Sequence, residues 1–198
     1  MRNVLMWSQL GTGGDGFYIA ANEIAADMAH RHGMTLPQVA GIIAALSPQT
    51  PWDRNIKLAE IFCKTGKLNG VPRSRVHKCV DISGITCPNE IARLVFGTAG
   101  HKIESFYWNI LGDSHAVTID SHALFSLFRS PEDGMPNGGF HTPFEGRSPR
   151  GPQYDFLAKV YKDCSNKLNV SPSELQARVW ANVRNFKNLR EHSVEVPF

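Results

Sequence analysis

The chain has 198 residues, 42% hydrophobic, 20% charged and 10% aromatic, the composition of a globular protein and not of a disordered or fibrous one. Its net charge of +3 permits a polyanionic partner but argues against a coat protein that binds nucleic acid by charge alone. The four cysteines, Cys63, Cys79, Cys87 and Cys164, form no Cys-x-x-Cys pair, which argues against a zinc ribbon or a four-thiolate iron–sulfur cluster.

Residues 1–10 lack an apolar run bounded by a small-residue cleavage site, and no segment approaches the roughly 18 apolar residues that span a bilayer. A soluble cytoplasmic protein, with no membrane partner, is therefore expected. Residues 11–16, GTGGDG, have the glycine content of a phosphate cradle but follow no strand, so a lead into a helix is favoured. Apolar residues then recur at three- and four-residue steps over 20–32, and Gly33 stops the run.

Thr35, three residues before Gln38 and with Pro37 in the first turn, is a capping box opening a nearly unbroken apolar helix that continues to Leu46. Two prolines, Pro48 and Pro51, make a turn. Helical spacing resumes over 52–65 and is closed by Gly66. Shorter helices are predicted over 76–82 and 88–96, then a small-residue turn at 97–100 and a helix over 101–111. Residues 116–119 read as extended, and 121–129 as a helix opened by Asp120. The stretch 130–152 is rich in Gly and Pro and is predicted as a long loop. Two helices complete the chain, over 153–168 and from the capping box at Ser171 and Glu174 to about residue 190. The predicted class is all-α.

Chemistry concentrates in residues 96–124. A glycine turn at the start of a helix offers backbone N–H groups and the positive end of the helix dipole to a phosphate, with His101 and Lys102 adding cationic side chains. The same letters also describe a glycine cap between two packed helices. Asp120 follows the apolar run 117–119 and precedes a helix, where the dipole and N–H donors keep a carboxylate ionised. An ionised carboxylate in a cleft stabilises the sugar cation that forms during glycosidic cleavage. His115, Asp120 and His122 lie within eight residues, but without further clustered ligands no metal site and no cofactor are expected.

Residues 97–102 resemble the hairpin of the helix-hairpin-helix DNA glycosylases, and Val117-Thr118-Ile119-Asp120-Ser121-His122 is similar to the context of that family's catalytic aspartate. Lys102 and Asp120 are eighteen residues apart, the family's spacing between hairpin lysine and aspartate. A second segment, Leu46-Ser47-Pro48-Gln49-Thr50-Pro51-Trp52-Asp53, resembles the family's Leu-Ser-x-Gln-x-x-Asp turn with one residue added. The likeness spans about residues 38–125. It departs from the family at Gly97, where a proline is usual, at Thr98, where the first hairpin glycine is usual, and in lacking the C-terminal iron–sulfur cysteines of one branch.

The resemblance implies a two-lobed helix-hairpin-helix glycosylase-like fold with an active-site cleft between lobes. One lobe would be residues 34–114, the other residues 1–33 with 115–198. It implies a monomeric enzyme that flips a damaged or modified base out of double-stranded DNA and excises it. Asp120 would promote departure of the base, and Lys102 would attack the sugar and form a Schiff base that also permits strand nicking, unless it only contacts phosphate. Gln49 would fill the vacated stack, Gly97, Thr98, Gly100 and His101 would meet the DNA backbone, and Trp52, Tyr107 and His122 would line the base pocket. A core role for Trp52 is equally compatible with its spacing. Two other functions remain open on the same residues: a phage-type hypermodification transferase acting on modified thymine, and a DNA-binding module without catalysis.

Overall fold

The computed structural model describes residues 1–11, 13–97, 101–133, 144 and 149–193. Among these the regular structure is entirely helical, with no strand, so the protein is all-α. No helix among them is long and apolar enough to cross a membrane. The chain divides into two compact units, residues 18–113 and residues 1–17 with 114–198.

The unit of residues 18–113 holds α2 (Phe17–His32) from its second residue on, α3 (Leu36–Leu46), α4 (Trp52–Thr65), α5 (Arg73–Ser83), α6 (Pro88–Ile91) and α7 (His101–Ile110). Its axis is α3, in which every residue from Gln38 to Leu46 is buried, as the unbroken apolar run requires. The helix starts where the capping box predicts: Thr35 N donates to Gln38 Oε1 at 2.9 Å, and Gln38 N donates back to Thr35 Oγ1 at 3.4 Å. Gln38 Nε2 also donates to Ser83 O at 2.7 Å, tying the start of α3 to the end of α5. Gly41 lets the helices approach, since a Cβ there would meet Ile82 Cγ2 at 3.1 Å and Ile91 Cγ2 at 3.3 Å. α4, α5, α6 and α7 all pack on α3. Gly66 ends α4 in the left-handed conformation, φ 67°, donating its N–H to Phe62 O.

Two features were not foreseen. The predicted helix 88–96 is α-helical only to Ile91, and residues 92–96 widen into a π turn. α2 belongs with residues 18–113, whereas the resemblance placed the chain up to residue 33 in the other lobe. Asn22 Nδ2 donates to Ile110 O at 2.8 Å, and Ala21, Ala25, Met28 and Ala29 enter the same core as α3.

The second unit holds α1 (Arg2–Ser8), α8 (Ser121–Phe128), α9 (Pro152–Leu168) and α10 (Pro172–Ser193). Sequence pattern left α1 unassigned, yet it packs against α8, α9 and α10 with Val4 and Trp7 fully buried. Trp7 Nε1 donates to Arg129 O at 2.7 Å, and its ring meets Phe125 and Phe186 at centroid distances of 6.0 and 5.2 Å. Residues 134–143 and 145–148 of the predicted 130–152 loop lie outside the described residues.

Candidate functional site

In the unit of residues 1–17 and 114–198, the extended run before Asp120 is fixed by one tyrosine. Tyr154 OH donates to Val117 O at 2.7 Å and accepts from Ile119 N at 3.1 Å. Asp120, itself still extended, caps α8, and its Oδ1 accepts from Ala123 N at 2.8 Å. Its second oxygen, Oδ2, lies 3.4 Å from His122 Nδ1. The carboxylate side chain is 15% exposed and the imidazole 21%, so both reach a surface without being surrounded by water. A carboxylate held by an N–H donor at the positive end of a helix is favoured in its ionised form.

His122 rests on Trp180 of α10, ring centroids 5.8 Å apart and tilted by 61°. The Arg184 guanidinium lies over the same indole at 5.1 Å, and Phe17 approaches it at 5.9 Å. Trp180 is thus a half-buried aromatic that joins His122, Arg184 and Phe17 in one cluster. Trp180 and Arg184 were missed because they lie sixty residues or more from Asp120 in the chain, and no local motif marks them.

The glycine segment 11–16 is structural in its described part. A Cβ at Gly14 would overlap the Ala177 carbonyl of α10, and Asp15 takes Arg178 in a two-point ion pair at 2.7 and 3.0 Å. Gly14 therefore serves a close chain crossing, and Gly16, at φ 75°, a left-handed turn.

In the unit of residues 18–113, Gln49 is exposed and adopts φ 53°, a left-handed backbone that costs a side-chain-bearing residue roughly 1–2 kcal/mol. The turn is held all the same. Thr50 N donates to Ser47 O at 3.1 Å, Thr50 Oγ1 donates to Pro48 O at 3.1 Å, and Arg75 Nη1 of α5 donates to Thr50 Oγ1 at 3.2 Å. Lys102 is half-buried in the first turn of α7, next to exposed His101. Gly97 follows the π turn, where a Cβ would meet Arg93 O at 2.6 Å, so glycine is required there by close approach. Thr98 and Gly100 lie outside the described residues. Lys78 of α5 stands over Phe96, the residue before Gly97, with Nζ 5.9 Å from the ring centroid, and burial lowers its pKa below that of an ordinary lysine.

Of the expected pocket residues, Trp52 and Tyr107 belong to the unit of residues 18–113 and His122 to the other. Trp52 is half-buried and packs edge-on against Phe106 at 6.5 Å. Tyr107 is fully buried, its ring against Phe96 and Trp108 and its OH donating to Pro88 O at 3.2 Å. Desolvation pushes its phenol far above the usual pKa, and its position is that of a core residue and not of a pocket wall. His122 sits beside the carboxylate, as described above. Among the described residues no three His, Cys, Asp or Glu side chains come together as a metal group, the set of His115, Asp120 and His122 included.

The fold and site thus define an all-helical protein with a capping carboxylate beside a His–Trp–Arg stack. The chain belongs to the family of unknown function DUF7178, whose model matches residues 8–187. No curated protein and no solved structure matches it.

Proposed function

We propose that this protein acts on double-stranded DNA as an N-glycosylase with associated AP-lyase activity. The observation that carries the proposal is Asp120: a partly exposed carboxylate, fixed as the cap of α8 and adjoining His122, eighteen residues beyond the first-turn lysine of α7. As the bond between the sugar C1′ and the base breaks, the electron pair leaves with the base and positive charge grows on the sugar. A fixed carboxylate stabilises that charge without reorganising. The Lys102 amine, in neutral form, attacks C1′ and releases a proton. Opening of the sugar gives a Schiff base, and β-elimination expels the 3′ phosphate.

Gln49 supports the same reading. A side chain held exposed in a strained backbone, by a turn with three hydrogen bonds, is suited to enter the space that an extruded base leaves.

The test is a panel of duplexes bearing uracil, oxidised pyrimidines, mismatches or 5-hydroxymethyl pyrimidines, incubated with protein and trapped with borohydride. Release of a base and a trapped adduct lost in Lys102→Ala are expected. Asp120→Asn should lower base release by a factor of about 100 or more, the scale of losing one electrostatic stabiliser. An adduct on hydroxymethyl pyrimidine without base release would replace excision by group transfer. Tight duplex binding with no product on any substrate would leave only a binding module.

A further inference from the structure

Helix α5 joins two features that the excision reading uses separately. At its start Arg75 donates to Thr50 Oγ1 and so reaches the Gln49 turn. One turn later Lys78 covers Phe96, beside Gly97. The helix carries Arg73, Arg75, His77 and Lys78 within six residues, with no acidic residue in its first turn. Cys79 and Ile82 bury its inner side, Arg73 and His77 are exposed, and Arg75 and Lys78 are half-buried between them. The helix thus presents a run of cationic side chains, two exposed and two partly buried, where an anion can meet them.

We infer that α5 is a contact helix for the sugar-phosphate backbone of duplex DNA, Arg73 and Lys78 meeting phosphates and Arg75 acting as a positioning residue for the Gln49 turn. This rests on the DNA reading above and extends it. Thr50 Oγ1 donates to Pro48 O, so its lone pair is what Arg75 takes, and the hydroxyl links the arginine to the turn on both sides of Gln49. Phosphates following α5 would run from the wedge residue to the segment that precedes the hairpin. Such contacts fix register on the duplex without reading sequence.

The experiment measures binding of a short fluorescein-labelled duplex by anisotropy across a NaCl series. A second duplex carries 2-aminopurine, whose fluorescence rises when a base leaves the stack. Each lost phosphate contact should flatten the slope of log affinity against log salt by about 0.9. Arg73→Gln with Lys78→Met, which keeps the lysine's apolar stem, should therefore flatten it by about twice that amount, and Lys78→Arg should restore its share. Arg75→Lys keeps the charge but not the planar donor, and Thr50→Val removes the acceptor. Both should leave the slope intact and lower the 2-aminopurine signal several-fold at saturating protein. An unchanged slope in the Arg73/Lys78 double variant, with wild-type protein showing a steep one, overturns the contact helix while the DNA reading stands. An unchanged 2-aminopurine signal in Arg75→Lys and Thr50→Val overturns the positioning role. Wild-type protein with no salt-dependent duplex binding removes the DNA reading itself.

Discussion

In the proposed excision Asp120 would serve stability and chemistry with different properties of one side chain, and substitution can separate them. Its oxygen accepts the Ala123 N–H, a task an asparagine oxygen performs almost as well, whereas charge stabilisation needs the anion. Asp120→Asn should therefore unfold within about 1 kcal/mol of wild type while losing base release, and Asp120→Ala should lose about 1 kcal/mol through the missing cap as well. Urea titrations beside a single-turnover excision assay check both. Gln49 presents the opposite balance. Gln49→Gly relieves the left-handed backbone and should raise stability by up to about 1 kcal/mol, while on the proposed reading base extrusion falls with loss of the wedge. A destabilised Gln49→Gly protein would mean that the turn is held by something other than the bonds at Ser47, Pro48 and Thr50. Asp120 was legible in the sequence because capping is local. Trp180 was not, since only the packing of α10 brings it to His122.

At the scale of elements, legibility followed where each helix finds its partners. α3 declares itself through Thr35, Gln38 and a continuous apolar run, all within twelve residues. α4 is closed by Gly66 and α10 opened by Ser171, whose Oγ accepts from Glu174 N at 3.2 Å. α1 has no such signal. Seven residues are too few to show a period, and Trp7 takes its hydrogen-bond acceptor 122 residues away. The π turn at 92–96 was equally silent, because nothing in its letters distinguishes it from the end of an α-helix. Gly14 of the 11–16 segment could be noticed but not explained until it met the Ala177 carbonyl. α1 is nonetheless strongly bound to its unit: Trp7 has no exposed surface, and Asn182 Nδ2 donates to both Trp7 O and Gly11 O at 2.9 Å. Trp7→Ala should cost about 3–5 kcal/mol, read as a lowered urea midpoint, and a cost below about 1 kcal/mol would show that α1 is only loosely docked.

For the molecule as a whole, sequence pattern supplied an all-α chain but not the membership of α2. That helix buries mainly small residues, Ala21, Ala25 and Ala29 with Met28, a stripe that suits many cores and names none. Its C-terminal end is joined to α4 by charge. Arg31 reaches Glu60 at 2.6 and 2.9 Å and Asp27 at 2.8 Å, and His32 Nε2 lies 2.7 Å from Glu60. The Arg31 hydrogen bonds hold the Glu60 carboxyl down to about 2, against a smaller opposing effect of burial. The folded value is below the ordinary one of 4.5, so the unfolded chain takes up the proton first. The stabilisation is therefore fully present above about pH 4.5 and lost as pH falls toward about 2. The side chain is 33% exposed, which limits the gain to a surface pair's scale of roughly 1 kcal/mol or less and makes it sensitive to salt. Glu60→Gln should melt below wild type at neutral pH, and the two proteins should converge as the solution is acidified to about pH 2. A thermal-melt series from pH 7 downward, at low and at high NaCl, measures this. A difference that persists at the acid end would assign the effect of the substitution to packing and not to the carboxylate's charge.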